Sequence, residues 1–204
     1  MEELILYAYT FRSRAERVLW ALREFGLPHK VIRLDPFKGE ALTPQFLKLN
    51  PAAKVPVLTY GDAVLTESLA IMEYLNDLSA QIKLIPTVNP ALYQYKKMIY
   101  YAATEIEPYL WISWQATGLK KIYRWPEGTS DECFKRVERA LPSVYKALED
   151  SAYIAGDEFT LADIYYNHLL TWAQASGSKL PVQAITYLSN LSKRAHFPEE
   201  MRQS

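Results

Sequence analysis

The sequence predicts two domains of different class: a small mixed α/β domain over residues 1–80, a linker over 81–90 and an all-helical domain over 91–204. Three observations lead there. Short apolar runs alternate with a helical pattern at the start of the chain, the signature of a βαβ unit. Strand signals stop after Leu78. The stretch from Ser79 to Pro90 carries Pro86 and Pro90, and four helical patterns follow it.

The elements are justified in order. Leu4 to Ala8 is a short apolar run that suits a buried strand. From Ser13 the pattern turns helical, with Val18, Leu19, Leu22 and Phe25 on one face, and Gly26 and Pro28 end it. His29 to Leu34 reads as a second strand, parallel to the first through a right-handed crossover. A short helix is expected around Pro44 to Leu49. Val55 to Tyr60 and Ala63 to Leu65 read as a hairpin about the Gly61-Asp62 turn. Glu67 to Leu78 is helical again. Beyond the linker, helices are expected over Ala91 to Ala116, Asp131 to Leu148, Leu161 to Ala175 and Val182 to about Arg194.

Composition narrows the function. Lys plus Arg equals Asp plus Glu, 23 of each. A nucleic-acid binder would show a basic excess. Near-neutral charge together with 15 Tyr and 5 Trp fits a protein that hides surface in a homodimer. The lone cysteine, Cys133, rules out an intrachain disulfide and fits a reducing compartment. The N-terminus is acidic with a short apolar run, unlike a signal peptide. No stretch approaches the roughly 18 apolar residues of a membrane span. A cytoplasmic protein is therefore expected. His29, His168 and His196 are scattered without metal-ligand spacing, so no metal is expected.

The most informative segment is Asn50-Pro51-Ala52-Ala53-Lys54-Val55-Pro56-Val57-Leu58. Proline cannot donate to a sheet ladder, so Pro56 belongs at an edge or at a strand's first residue. On physics alone this is a loop entering an edge strand, with a trans bond as the default. A second segment is Leu65-Thr66-Glu67-Ser68-Leu69-Ala70-Ile71-Met72-Glu73-Tyr74-Leu75. Its Glu67 and Ser68 open a helix, where exposed N–H groups and the dipole favour an anion. Simple capping explains the same residues. A third is Ile154-Ala155-Gly156-Asp157-Glu158-Phe159-Thr160-Leu161-Ala162-Asp163-Ile164. Thr160 and Asp163 have capping-box spacing, with Phe159 and Ile164 placed as a hydrophobic staple. Asp163 so placed reads as a cap, with an acid or base role as the minor alternative.

These three segments together resemble the cytosolic glutathione S-transferases, over nearly the whole chain. The resemblance implies a thioredoxin-like first domain and glutathione as co-substrate. It implies that the bond before Pro56 is cis. Val55 would then offer its backbone N–H and C=O to the cysteinyl part of glutathione, by β-augmentation. It further implies that Glu67 pairs the γ-glutamyl ammonium, that Ser68 holds the neighbouring carboxylate, and that Lys54 reaches the glycyl end. Many relatives carry a histidine where this chain has Ala41, so Lys38 or Glu40 would have to reorganise that edge.

Such transferases stabilise the glutathione thiolate with a hydroxyl near the first helix. The candidates rank Ser13, then Tyr9, then Arg12. Ser13 begins Ser13-Arg14-Ala15-Glu16-Arg17-Val18 and resembles the classes that use serine. It is equally an N-cap, with Glu16 closing a capping box. Tyr9 resembles the tyrosine of other classes, and Arg12 would act electrostatically. No cysteine precedes Cys133, which argues against a protein thiol–disulfide mechanism. A small hydrophobic electrophile would bind in a pocket between the domains, with Tyr101, Tyr109 and Trp114 near it. Aromatics at helical spacing are also ordinary core. The expected activity is conjugation of glutathione to such electrophiles. The alternatives are a non-catalytic binding or regulatory protein of the same fold, and a glutathione-dependent peroxidase or isomerase.

Overall fold

The structure is a computed structural model that describes residues 2–10 and 12–201. The chain divides into two compact units, Met1–Ile85 with Ser192–Ser204, and Pro86–Leu191. The mixed-then-helical order expected from the sequence is found.

In the first unit four strands form one sheet: β1 (Leu4–Tyr9), β2 (His29–Leu34), β3 (Val57–Tyr60) and β4 (Ala63–Thr66). Their order is β2-β1-β3-β4. β1 runs parallel to β2 and antiparallel to β3, and β4 closes the hairpin. Strand periodicity decides which side chains face which layer. Leu4, Leu6 and Ala8 of β1 are fully buried, while Tyr7 and Tyr9 point to the other face. There Tyr7 meets Phe46 edge-on at 5.8 Å. Phe46 belongs to the short helix α2 (Pro44–Leu49), whose N-cap Thr43 accepts from the Phe46 N–H.

Helix α1 (Ala15–Glu24) buries Val18, Leu19, Trp20 and Leu22, and packs against α3 (Ser68–Leu78). Two differences from the sequence reading concern β3. It begins at Val57, after Pro56, and it lies inside the sheet between β1 and β4 rather than at an edge. Pro56 stays outside the ladder because it has no N–H to give.

Residues 192–201 group with the first unit. Phe197 stands edge-on to Trp20 at 4.8 Å. Arg194 donates through Nε and Nη2 to both oxygens of buried Glu24, at 2.8 and 2.9 Å. Glu24 also accepts from Trp20 Nε1 at 2.9 Å. Glu24→Ala would strip three donors of their acceptor. The expected loss is about 2–4 kcal/mol of unfolding free energy, read by urea denaturation.

The helical unit holds α4 (Ala91–Tyr101), α5 (Glu107–Thr117), α6 (Thr129–Asp150), α7 (Leu161–Ala175) and α8 (Val182–Ser192). The single long helix expected over Ala91 to Ala116 is interrupted by a π-helical turn, Ala102–Ile106. The cause lies just beyond it. Pro108 has no N–H for the α-helical ladder, and the extra residue of a π turn absorbs the break. The Thr160–Asp163 capping box forms as expected at the start of α7. Phe159, expected as one half of a staple, sits edge-on to Tyr153 at 5.7 Å. Among the described residues no helix is long and apolar enough to cross a membrane.

Candidate functional site

The strand register gathers the candidate residues at one end of the sheet. Val57 pairs with Tyr7 on one side and Thr66 on the other. Val55 therefore leaves the sheet level with Tyr9, and Glu67 and Ser68 leave it beside Pro56. The turn from β1 into α1, with Arg12 and Ser13, opens at this same end.

The Val55–Pro56 bond is cis. The loop before it is built locally. Buried Asn50 accepts from Ala52 N–H through Oδ1 and donates from Nδ2 to the Lys54 carbonyl at 2.8 Å. Ala53 adopts a positive φ of 53°. Val55 is packed into a cluster with Ala41, Phe46 and Val57, against Tyr7 and Tyr9. Its side chain is thus fixed, while among the described residues no hydrogen bond engages its backbone N–H or C=O. A backbone N–H and C=O left open beside a sheet are what an extended peptide needs for pairing. Lys54 is exposed and has no polar partner among the described residues.

Glu67 is the most telling residue. Its φ of 66° and ψ of 111° lie outside the regions where a side chain sits comfortably. Strain of this kind persists where surrounding structure imposes it, and it concentrates at ligand sites. The conformation breaks β4 sharply and starts α3 at Ser68. The Glu67 side chain is exposed and makes no polar contact among the described residues. Ser68 is buried, and its Oγ accepts from Nη1 of buried Arg17 at 3.4 Å. The Ser68 end of α3 thus carries a cation beneath it as well as the helix's own unpaired N–H groups.

Ser13 lies where α1 begins. Its Oγ accepts from Ala15 N–H at 3.3 Å, and its own N–H donates to the Glu16 carboxylate. The Glu16 arm of the expected capping box is present, but Ser13 Oγ takes the Ala15 rather than the Glu16 N–H, and Arg14 rather than Ser13 is the N-cap, with its helical φ and ψ. The Ser13 hydroxyl proton has no acceptor among the described residues. Glu16 is buried and pairs with Arg33 at 3.2 Å, and Arg33 also donates to the Tyr9 carbonyl at 2.9 Å. Burial pushes the Glu16 pKa up, while Ser13 N–H and Arg33 pull against it.

The other two candidates are committed elsewhere. The Tyr9 hydroxyl donates to the Ala53 carbonyl at 3.3 Å, bracing the loop before Val55. Arg12 donates from Nη2 to the Met201 carbonyl at 3.2 Å. Ala41, the position of the absent histidine, is buried in the Val55 cluster. Glu40 and Lys38, considered as substitutes, turn inward on Asp35: Glu40 accepts from its N–H at 2.6 Å, and Lys38 Nζ lies 3.7 Å from its carboxylate. Sequence reasoning missed Arg17 and Arg33. Only their long-range partners, Ser68 and Glu16, set them apart from other surface-type cations.

In the helical unit Tyr101 and Tyr109 share a hollow of about 170 Å³ with Glu105, Arg136, Arg139 and Ala140. Tyr101 donates to the Ala140 carbonyl at 3.0 Å, and the Arg136 guanidinium lies 5.2 Å from the centre of the Tyr109 ring. Trp114 does not line this hollow. It is exposed and lies over Gly118, where an added Cβ would come within 2.5 Å of its ring.

A mixed four-stranded sheet with a cis proline before β3, followed by a separate helical unit, defines a thioredoxin-like protein with an appended helical domain. The solved structure of a Sulfitobacter glutathione transferase homologue with bound glutathione has the same fold: TM-score 0.83 at 22% identity, over 100% of this chain and 99% of that one. Residues 2–77 match the glutathione S-transferase N-terminal domain and residues 75–196 its C-terminal domain. The chain belongs to the glutathione S-transferase family. It is 31% identical to glutathione S-transferase GstA of Escherichia coli O157:H7, over 87% of this chain and 86% of that protein. It is 30% identical to the maleylacetoacetate isomerase of Mus musculus, over 78% of this chain and 73% of the relative.

Proposed function

We propose that this glutathione transferase binds glutathione along Val55 and directs the thiolate, stabilised by Ser13, at small hydrophobic electrophiles. One observation carries the reading. An unengaged backbone N–H and C=O at Val55, the strained and unpartnered Glu67 side chain, and a free hydroxyl proton at Ser13 lie at one end of one sheet. Each has a place on the tripeptide. Val55 pairs with its cysteinyl backbone. Glu67 takes the γ-glutamyl ammonium. Ser68 and the N–H groups of α3, over Arg17, take the carboxylate. Lys54 is free to reach the glycyl carboxylate. With the tripeptide so held, its sulfur lies toward the start of α1. A hydroxyl there can accept from the helix and still donate to sulfur.

Tyr101 and Tyr109 are candidates for contact with the electrophile through the hollow they share, and Trp114 through its exposed ring. The large apolar side chains each unit exposes, Phe37 in the first and Tyr93 and Tyr100 in the second, favour a homodimer. The lone cysteine favours a reducing, cytoplasmic setting.

Relatives named maleylacetoacetate isomerase favour a second reading, in which glutathione adds to an unsaturated acid and leaves again after rotation about the former double bond. The transient adduct needs the same thiolate, and the outcome differs only in whether the carbon–sulfur bond persists.

The experiment is calorimetric titration with glutathione, followed by turnover with chlorinated aromatics, enals, peroxides and maleyl-type acids. Glu67→Gln keeps the shape and removes the charge. Its glutathione affinity is expected to fall about 10-fold, the worth of one charge-assisted contact. No binding to the wild type at millimolar glutathione would overturn the reading. Binding with no turnover on any substrate would leave a binding protein of the same fold.

A further inference from the structure

The segment 194–201 is tied to the first unit at four places, and the ties run toward the site. Arg194 holds Glu24 at the end of α1. Phe197 stacks edge-on against Trp20. Glu200 accepts from Arg23 at 2.9 Å. At the far end the carbonyl of buried Met201 accepts from Arg12, the residue before Ser13. The last contacts lie in a single 3₁₀ turn, Glu199–Met201.

We infer that this segment is a strap that positions the loop carrying Ser13, with Arg12 as a positioning residue acting through it. The inference rests on the assignment of Ser13 above. Thr10, Arg12, Ser13 and Arg14 belong to no helix or strand. From one side it is held by Glu16, which takes the Ser13 N–H and is itself fixed by Arg33. From the other it is held by the Met201 carbonyl. A backbone carbonyl is a fixed acceptor only if its segment is fixed, and the Trp20, Arg23 and Glu24 contacts supply that. A donor to a thiolate works through placement, so an error of about 1 Å in Ser13 costs catalysis while leaving tripeptide contacts at Val55 and Glu67 intact. Glutathione affinity and thiol ionisation are therefore separable here.

The test uses the full chain with Phe197→Ala and Glu200→Ala, neither of which touches the proposed tripeptide contacts. The readouts are the titration of enzyme-bound glutathione thiol, followed by thiolate absorbance, and the separate kcat and KM values. Phe197→Ala is expected to raise the bound-thiol pKa by about half a unit or more and to lower kcat about 5-fold, with KM for glutathione within about 2-fold. Arg12→Ala in the Phe197→Ala background should add little, since both act on one tie. A folded, glutathione-binding Phe197→Ala with an unmoved thiol titration overturns the strap, as do independent, multiplying effects of the two substitutions. If Phe197→Ala fails to fold, Glu200→Ala removes the Arg23 acceptor and carries the same comparison, and an unmoved titration there overturns the strap. If Ser13→Ala itself leaves the titration unmoved, the assignment of Ser13 falls. If Ser13→Ala moves it and the strap variants do not, the strap alone falls.

Discussion

Asp163→Ala is expected to cost about 3–5 kcal/mol, more than any other single change considered, because it removes the only carboxylate that four donors share. Oδ1 accepts from Ile154 N–H and from the Tyr187 hydroxyl, each at 2.8 Å. Oδ2 accepts from the N–H and the hydroxyl of Thr160, at 2.8 and 3.0 Å. Asp163 is fully buried, so no water replaces it. Burial raises its pKa and the four donors oppose that rise. Alanine would leave a backbone N–H on each side of the cap without an acceptor, and a hole besides. Asn is the informative control. It keeps the volume and one oxygen but turns an N–H₂ toward donors on the other side, so about 1–3 kcal/mol should remain lost. Urea unfolding followed by circular dichroism reads both. If Asp163→Ala unfolds with a midpoint near wild type, the cap is not what holds the start of α7.

Ser13→Ala is the second large effect, and it should appear in rate rather than stability. If the hydroxyl donates to the glutathione sulfur, its loss should raise the bound-thiol pKa by about two units, which is about 2.7 kcal/mol and a fall of about 100-fold in kcat/KM at pH below the wild-type pKa. At alkaline pH the deficit should shrink, because glutathione then ionises unaided. A cap lost without a chemical role would lower stability by about 1 kcal/mol and leave the pH profile in place. The profile therefore decides between the two roles that Ser13 combines. Tyr9→Phe provides the contrast. Its hydroxyl is spent on the Ala53 carbonyl, so the change should loosen the loop before Val55 and raise KM for glutathione more than it moves the thiol titration.

Residues whose partners lie within a turn of them were legible in the sequence. The Thr160–Asp163 box, the Glu16 arm to Ser13, the Gly61 turn and most helix limits were read from spacing, because hydrogen bonds between residues two to four apart are set by backbone geometry alone. The one helix read wrongly shows the limit. Apolar periodicity continues through Ala102–Ile106, and only Pro108 warned of a break that the chain resolved with a π turn. Periodicity also placed Tyr101, Tyr109 and Trp114 on a shared helical path, but not against a shared neighbour.

By itself, then, the sequence determined a mixed domain before a helical one, the proline-led strand, and a helix opened by Glu67 and Ser68. Only the tertiary structure decided that β3 runs inside the sheet, that Val55 keeps its backbone open while its side chain is packed, and that Arg17 lies under Ser68. It also decided that the final segment returns to Arg12 across the whole length of the chain. These are contacts between residues far apart in sequence. Nothing in local spacing encodes them, because they follow from strand order and from which apolar faces the core brings together.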